Sequence, residues 1–131
     1  MRKTISWNNH RISYQVEGHG KPLILLHGYC DDARIWDNVV PHLMDEFCII
    51  RPDLPGFGES EAVEGISVTN FAKAVFAVLK SESVKKCVII GHSMGGYVTL
   101  AFAEKWPKML TGLGLFHSHC YEDSPEKKQA R

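Results

Sequence analysis

The chain has 131 residues, 44% hydrophobic and 23% charged, with 15 Lys plus Arg against 15 Asp plus Glu. That length fits one domain with its own core, and the composition excludes a disordered tail, a collagen-like repeat and a disulfide mini-protein. A formal charge of zero provides no basic field for nucleic acid or an anionic membrane, and no apolar run approaches the roughly 18 residues of a membrane helix.

Thr4 to Trp7 and Ile12 to Val16 read as short strands, and Asn8-Asn9-His10 between them reads as a hairpin turn. Pro22 to Leu26 is a buried strand that runs into a turn at His27-Gly28. Asp31 and Asp32 offer caps for a helix carrying Ile35, Trp36, Val39, Val40 and Leu43, which Pro41 kinks or shortens. Phe47 to Ile50 is a second buried strand, followed by a loop with two Pro and two Gly, Arg51 to Gly58. Phe71, Ala74, Val75, Val78 and Leu79 recur at helical spacing, with Ser67 or Thr69 as the cap. Cys87 to Ile90 is a third buried strand, Met94 to Trp106 an Ala- and Leu-containing helix stopped by Pro107, and Thr111 to Phe116 a fourth strand. Tyr121 to Arg131 is a charged tail.

Strands that are continuously apolar and alternate with helices imply a doubly wound, mostly parallel α/β sheet with an N-terminal antiparallel hairpin at one edge. Ligands collect at the carboxyl ends of such strands. His27, Asp53, Ser93 and His117 all stand there in the sequence. The polar N-terminus lacks a signal-peptide stretch, and Cys30, Cys48, Cys87 and Cys120 are irregularly spaced. Both point to a reducing cytoplasm rather than a disulfide framework.

Gly91-His92-Ser93-Met94-Gly95 fits G-x-S-x-G between a strand and a helix, the setting in which that motif builds a nucleophile elbow. Gly91 and Gly95 remove Cβ atoms from a tight turn, which lifts Ser93 above the sheet. The plainer reading is a Gly-rich helix start capped by Ser93. In Leu25-Leu26-His27-Gly28-Tyr29-Cys30, the turn after the first buried strand offers a backbone amide at Tyr29. With the amide of Met94 it is a candidate pair of donors for a developing oxyanion, and Gly28 lets the chain turn toward Ser93. His92 reads as packed at the elbow. Asp53 in Asp53-Leu54-Pro55-Gly56-Phe57-Gly58 reads as structural, bonding loop amides.

These three motifs in this order resemble the α/β-hydrolase fold superfamily, in its esterase, lipase and haloperoxidase-like branch, from about Thr4 to about His119. The resemblance implies Ser93 as the catalytic nucleophile, Tyr29 and Met94 amides as the oxyanion hole, and His27, Gly28, Gly91, His92 and Gly95 as site support. It implies a small-molecule acyl substrate, no cofactor and no metal. A serine at the elbow also argues against the dehalogenase and epoxide-hydrolase branches, which form their ester on a carboxylate.

The superfamily's chain order is nucleophile, acid, histidine, and the acid and histidine have no matching positions here. Residues 1–119 therefore resemble the N-terminal part of a hydrolase core, with 120–131 as a charged tail or the start of a cap. His117 or His119, oriented by Glu122 or Asp123, is a candidate substitute base. His117, His119 and Cys120 lack a fourth partner for a metal. The expectation is a serine hydrolase of esters or related acyl compounds, nearly inactive as this chain alone. The alternative is a non-catalytic binding or assembly protein of the same fold. The bare strand at 111–116 implies self-association through its edge.

Overall fold

The computed structural model describes residues 1–116. The expectations for His117, His119, Cys120, Glu122, Asp123 and the tail lie outside the described residues. Strands β1 (Arg2–Trp7) and β2 (His10–Gly18) form the expected hairpin. Asn8 and Asn9 turn it with φ of 50° and 66°, the paired left-handed conformations that match the twist of a tight hairpin. β3 (Lys21–Leu26), β4 (Phe47–Pro52), β5 (Cys87–His92) and β6 (Leu110–Phe116) complete one six-stranded sheet in the order β1-β2-β4-β3-β5-β6. The four central and distal strands are mutually parallel, and β2 joins β4 antiparallel.

That order explains the two layers. The chain steps from β3 to β4 in one direction, then from β4 across β3 to β5 and on to β6 in the other. Parallel crossovers are right-handed, so reversing the direction moves the connecting helices to the opposite face. Helices α2 (Val68–Ser81) and α3 (Met94–Lys105) accordingly bury Phe71, Val75, Val98 and Phe102 against Ile24, Leu26, Ile50 and Ile89. On the other face Trp36 and Val40 cover Leu23, Leu25 and Ile49. Alternate residues of each strand therefore serve different cores, which is why the strands read as unbroken apolar runs. Each such side chain contributes about 1.5–3 kcal/mol over its exposed state. Ser67 caps α2, its hydroxyl accepting from the Asn70 amide at 3.1 Å.

Two of the differences from the sequence reading bear on the packing. The single helix expected to carry Ile35 through Leu43 is a 3-10 turn, Ala33–Trp36, followed by a four-residue α1, Val40–Leu43. Pro41 has no amide to donate and its ring clashes with a continuous helix behind it, so it sits in the first turn of a new one. Asp32 does cap the 3-10 turn, accepting from the Arg34 amide at 2.9 Å. Secondly, β4 continues past Ile50 through Arg51 and Pro52. Arg51 is buried but bonded: its guanidinium reaches both carboxylate oxygens of Glu17 at 2.7 and 3.0 Å, Asp37 at 2.5 Å and the Ala33 carbonyl at 2.9 Å. β6 is the end strand of the described sheet, with Leu113 44% and Phe116 52% exposed.

Candidate active site

β3 and β5 are neighbours, with Leu26 opposite Gly91. The loops leaving their carboxyl ends therefore meet, at the point where the sheet reverses its winding. Ser93 is the corner between β5 and α3, with φ 53° and ψ −114°. A non-glycine residue in this region is strained by about 1–3 kcal/mol and persists only where its surroundings dictate it. They do so here. A Cβ on Gly91 would fall on the Gly95 carbonyl, and one on Gly95 on the Leu26 carbonyl. The Ser93 amide donates to the Phe116 carbonyl at 3.1 Å, and its own carbonyl accepts from Gly96 at 2.9 Å. The Ser93 hydroxyl makes no capping bond to α3, so the reading as a plain helix cap does not hold. The residue is half-buried.

Gly28 lies directly against this corner. A Cβ there would come 3.1 Å from the Ser93 Cβ and 3.2 Å from His92 Nδ1. Tyr29 follows Gly28, and Met94 follows Ser93, so His27, Gly28, Tyr29, Gly91, His92, Ser93, Met94 and Gly95 lie together at one end of the sheet. His92 packs its ring between Trp36 and Phe116, at 6.5 and 5.6 Å between centroids.

His27 is fully buried. Its Nε2 accepts the Leu54 amide at 2.8 Å, which leaves the ring proton on Nδ1 to donate to the Gly28 carbonyl at 2.8 Å. The ring thus ties the 27–30 turn to the loop after β4. Burial pushes its pKa below the usual histidine value, favouring the neutral ring that this pattern requires. Asp53 is structural, as its sequence setting suggests. One carboxylate oxygen accepts from the Ala33 amide at 2.8 Å, the other from Glu59 at 3.0 Å and the Arg2 guanidinium at 3.2 Å.

Sequence reasoning missed a cleft. Tyr29, Phe57, Val63, Ile66, Phe71 and Met94 are among the residues lining it, around about 300 Å³. The rings of Tyr29, Phe57 and Phe71 follow one another at 5.7 and 6.4 Å. A signal was present: Phe57, Val63 and Ile66 are large apolar residues in a loop between a strand and a helix, where polar residues are the rule.

A family model described as the alpha/beta hydrolase fold matches residues 21–119. The chain belongs to the alpha/beta hydrolase family. An uncharacterized hydrolase of Bacillus subtilis, YugF, is 37% identical over 110 residues, covering 82% of this chain and 40% of that protein. A soluble epoxide hydrolase of a Corynebacterium species is 38% identical over 97 residues, covering 73% of this chain and 34% of that protein. Among solved structures, a thermophilic esterase from Thermogutta terrifontis superposes with a TM-score of 0.89 at 34% identity, over 99% of this chain and 50% of the esterase. The chain thus spans well under half the length of these curated relatives and half that of the esterase.

Proposed function

We propose that residues 1–116 carry the nucleophile side of a serine-type alpha/beta-hydrolase site acting on esters or related acyl compounds. The observation that carries this reading is the backbone of Ser93: a strained corner, held by two glycines that cannot bear a Cβ, with the hydroxyl not used to cap the helix behind it. In this reading Ser93 Oγ attacks the acyl carbon, the carbonyl oxygen gains the negative charge, and the amides of Tyr29 and Met94 receive it. Loss of one such donor costs about 2.7–4 kcal/mol of transition-state stabilisation. The alcohol leaves with a proton, and water then cleaves the acyl-serine.

The hydroxyl of Ser93 needs a base to accept its proton. His27 is unsuited, because both ring nitrogens are committed to Leu54 and Gly28. We assign the base and the acid to no described residue. A site with oxyanion donors and binding alone retains about 10³–10⁴-fold over water, so residues 1–116 acting without a base from outside them are expected to turn over esters very slowly. A serine at the elbow, rather than a carboxylate, favours acyl transfer over the epoxide chemistry named for the Corynebacterium relative.

A fluorophosphonate probe tests the assignment without knowledge of the substrate. The chain is expected to label slowly at Ser93, and the Ser93→Ala variant not at all. Equal labelling of the two would overturn the nucleophile. Fast hydrolysis of p-nitrophenyl acetate by this polypeptide that depends on Ser93 but not on residues 117–131 would show that a described residue acts as the base.

A further inference from the structure

We propose that β6 is a self-pairing edge: two copies of this chain join antiparallel along it, about a two-fold axis at Gly114, so that two six-stranded sheets become one. This does not depend on Ser93 as the nucleophile.

The two ends of the sheet are built differently. β1 forms one end and carries Arg2 and Lys3 among its residues. Charges on an end strand keep an identical strand away, because pairing would bring like charges together. β6 forms the other end. Its seven residues, Leu-Thr-Gly-Leu-Gly-Leu-Phe, include no charge and no proline. Among the described residues it pairs with β5 alone. A neutral strand of this length has nothing to repel its own copy, and its outward amides and carbonyls are a template for one.

The hydrogen-bond pattern selects the axis. The Phe116 carbonyl accepts from the Ser93 amide at 3.1 Å, so the backbone groups of Phe116 face the β5 side. Along a strand these groups alternate sides from residue to residue. Gly112 and Gly114 therefore also face β5, while Leu113 and Leu115 face away from it. The register against β5 skips Thr111, between Cys87 and Val88. The regular stretch is residues 112–116, and Gly114 is its centre. A two-fold axis there sets Leu113 opposite Leu115 of the second copy, each such pair exchanging both of its amide–carbonyl bonds.

Both faces of the strand complement themselves in this register. On one face Leu113, 44% exposed, meets Leu115 of the second copy. On the other, Gly112 and Gly114 lie beside Val88 and Ile90, where a Cβ would stand 3.7 and 3.4 Å from those side chains. Phe116, 52% exposed, shares that face. It comes opposite Gly112 of the second copy, where the absent side chain leaves room for its ring. Because the paired strands run in opposite directions, the two Ser93 corners face opposite ways.

Sedimentation equilibrium of the 131-residue chain at roughly 100 µM, where small interfaces still assemble, is expected to give twice the chain's mass. Leu113→Lys removes the Leu113–Leu115 contacts and sets a like charge on each side of the axis, and is expected to raise the dimer Kd about tenfold or more. Its far-UV circular dichroism is expected to match the parent's, which separates lost pairing from lost fold. Gly114→Cys reads the register, in a Cys30→Ser, Cys120→Ser background. Residues opposite one another in a non-hydrogen-bonded pair have Cα atoms about 4.5 Å apart, within disulfide reach, so the variant is expected to cross-link under oxidised glutathione. Leu113→Cys in the same background is expected to cross-link far more slowly. A dimer that Leu113→Lys leaves unchanged, or faster cross-linking at 113 than at 114, would overturn the inference. A monomer at the stated concentration would assign the edge to another occupant, residues 117–131 or a different polypeptide, and would overturn it equally.

Discussion

The two loops that shape the site are held in opposite ways. The corner at Ser93 is fixed by exclusion: backbone atoms of Gly95, Gly96, Leu26 and His27 leave no space for a Cβ at Gly91 or Gly95. The loop after β4 is fixed by attraction. The Asp53 carboxylate, the Ser60 hydroxyl and the His27 ring hold it through polar bonds to amides and carbonyls. Exclusion fixes a position sharply and tolerates no added atom. Attraction tolerates shape changes but depends on charge and protonation. A nucleophile benefits from the first, and a binding wall can be built with the second.

That contrast can be broken at its strongest point first. Gly95→Ala drives a methyl group into the backbone of β3 and is expected to cost at least about 3 kcal/mol or prevent folding, read by urea denaturation. Asp53→Ala removes the acceptor of a buried amide, a part-buried amide and a guanidinium, and is expected to cost about 2–3 kcal/mol in the same experiment. Ser93→Gly is expected to stabilise the fold by about 1 kcal/mol, because glycine relieves the strained φ, whereas Ser93→Ala is expected to stay near the parent. If Ser93→Ala gained as much, the strain would belong to the side chain and not to the corner.

The smallest effect concerns pH. His27 has a folded pKa below its unfolded value near 6.5, so below about pH 6.5 the unfolded chain binds a proton that the native ring refuses. Its contribution is full above that pH and declines as pH falls through the window down to the folded pKa. His27→Asn should flatten that limb of the stability profile measured by denaturation between pH 7 and pH 5.

Much of the fold was legible because its decisive signals are local. Apolar runs at Leu23–Leu26, Ile49–Ile50 and Cys87–Ile90 mark strands covered on both faces, and the glycines at 91 and 95 mark the corner between β5 and α3. The extension of β4 through Arg51 was not legible, because an arginine inside a sheet depends on Glu17 and Asp37, which lie 34 and 14 residues away. The break in the Ile35–Leu43 segment was half visible in Pro41. The double commitment of His27 was hidden, since its acceptor role depends on the amide of Leu54, 27 residues on. The cleft was hidden for the same reason: its wall forms only when the loops after β3, β4 and β5 converge.

The three described cysteines differ in exposure. Burial raises the Cys87 thiol to about 11 and pushes Cys48 up as well, while Cys30 is exposed. Thiolate is the species that attacks an alkylating reagent. At neutral pH a maleimide dye should therefore reach Cys30 ahead of the other two. Cys30 directly follows Tyr29 in the chain, so a dye there would sit one residue from the lining of the cleft.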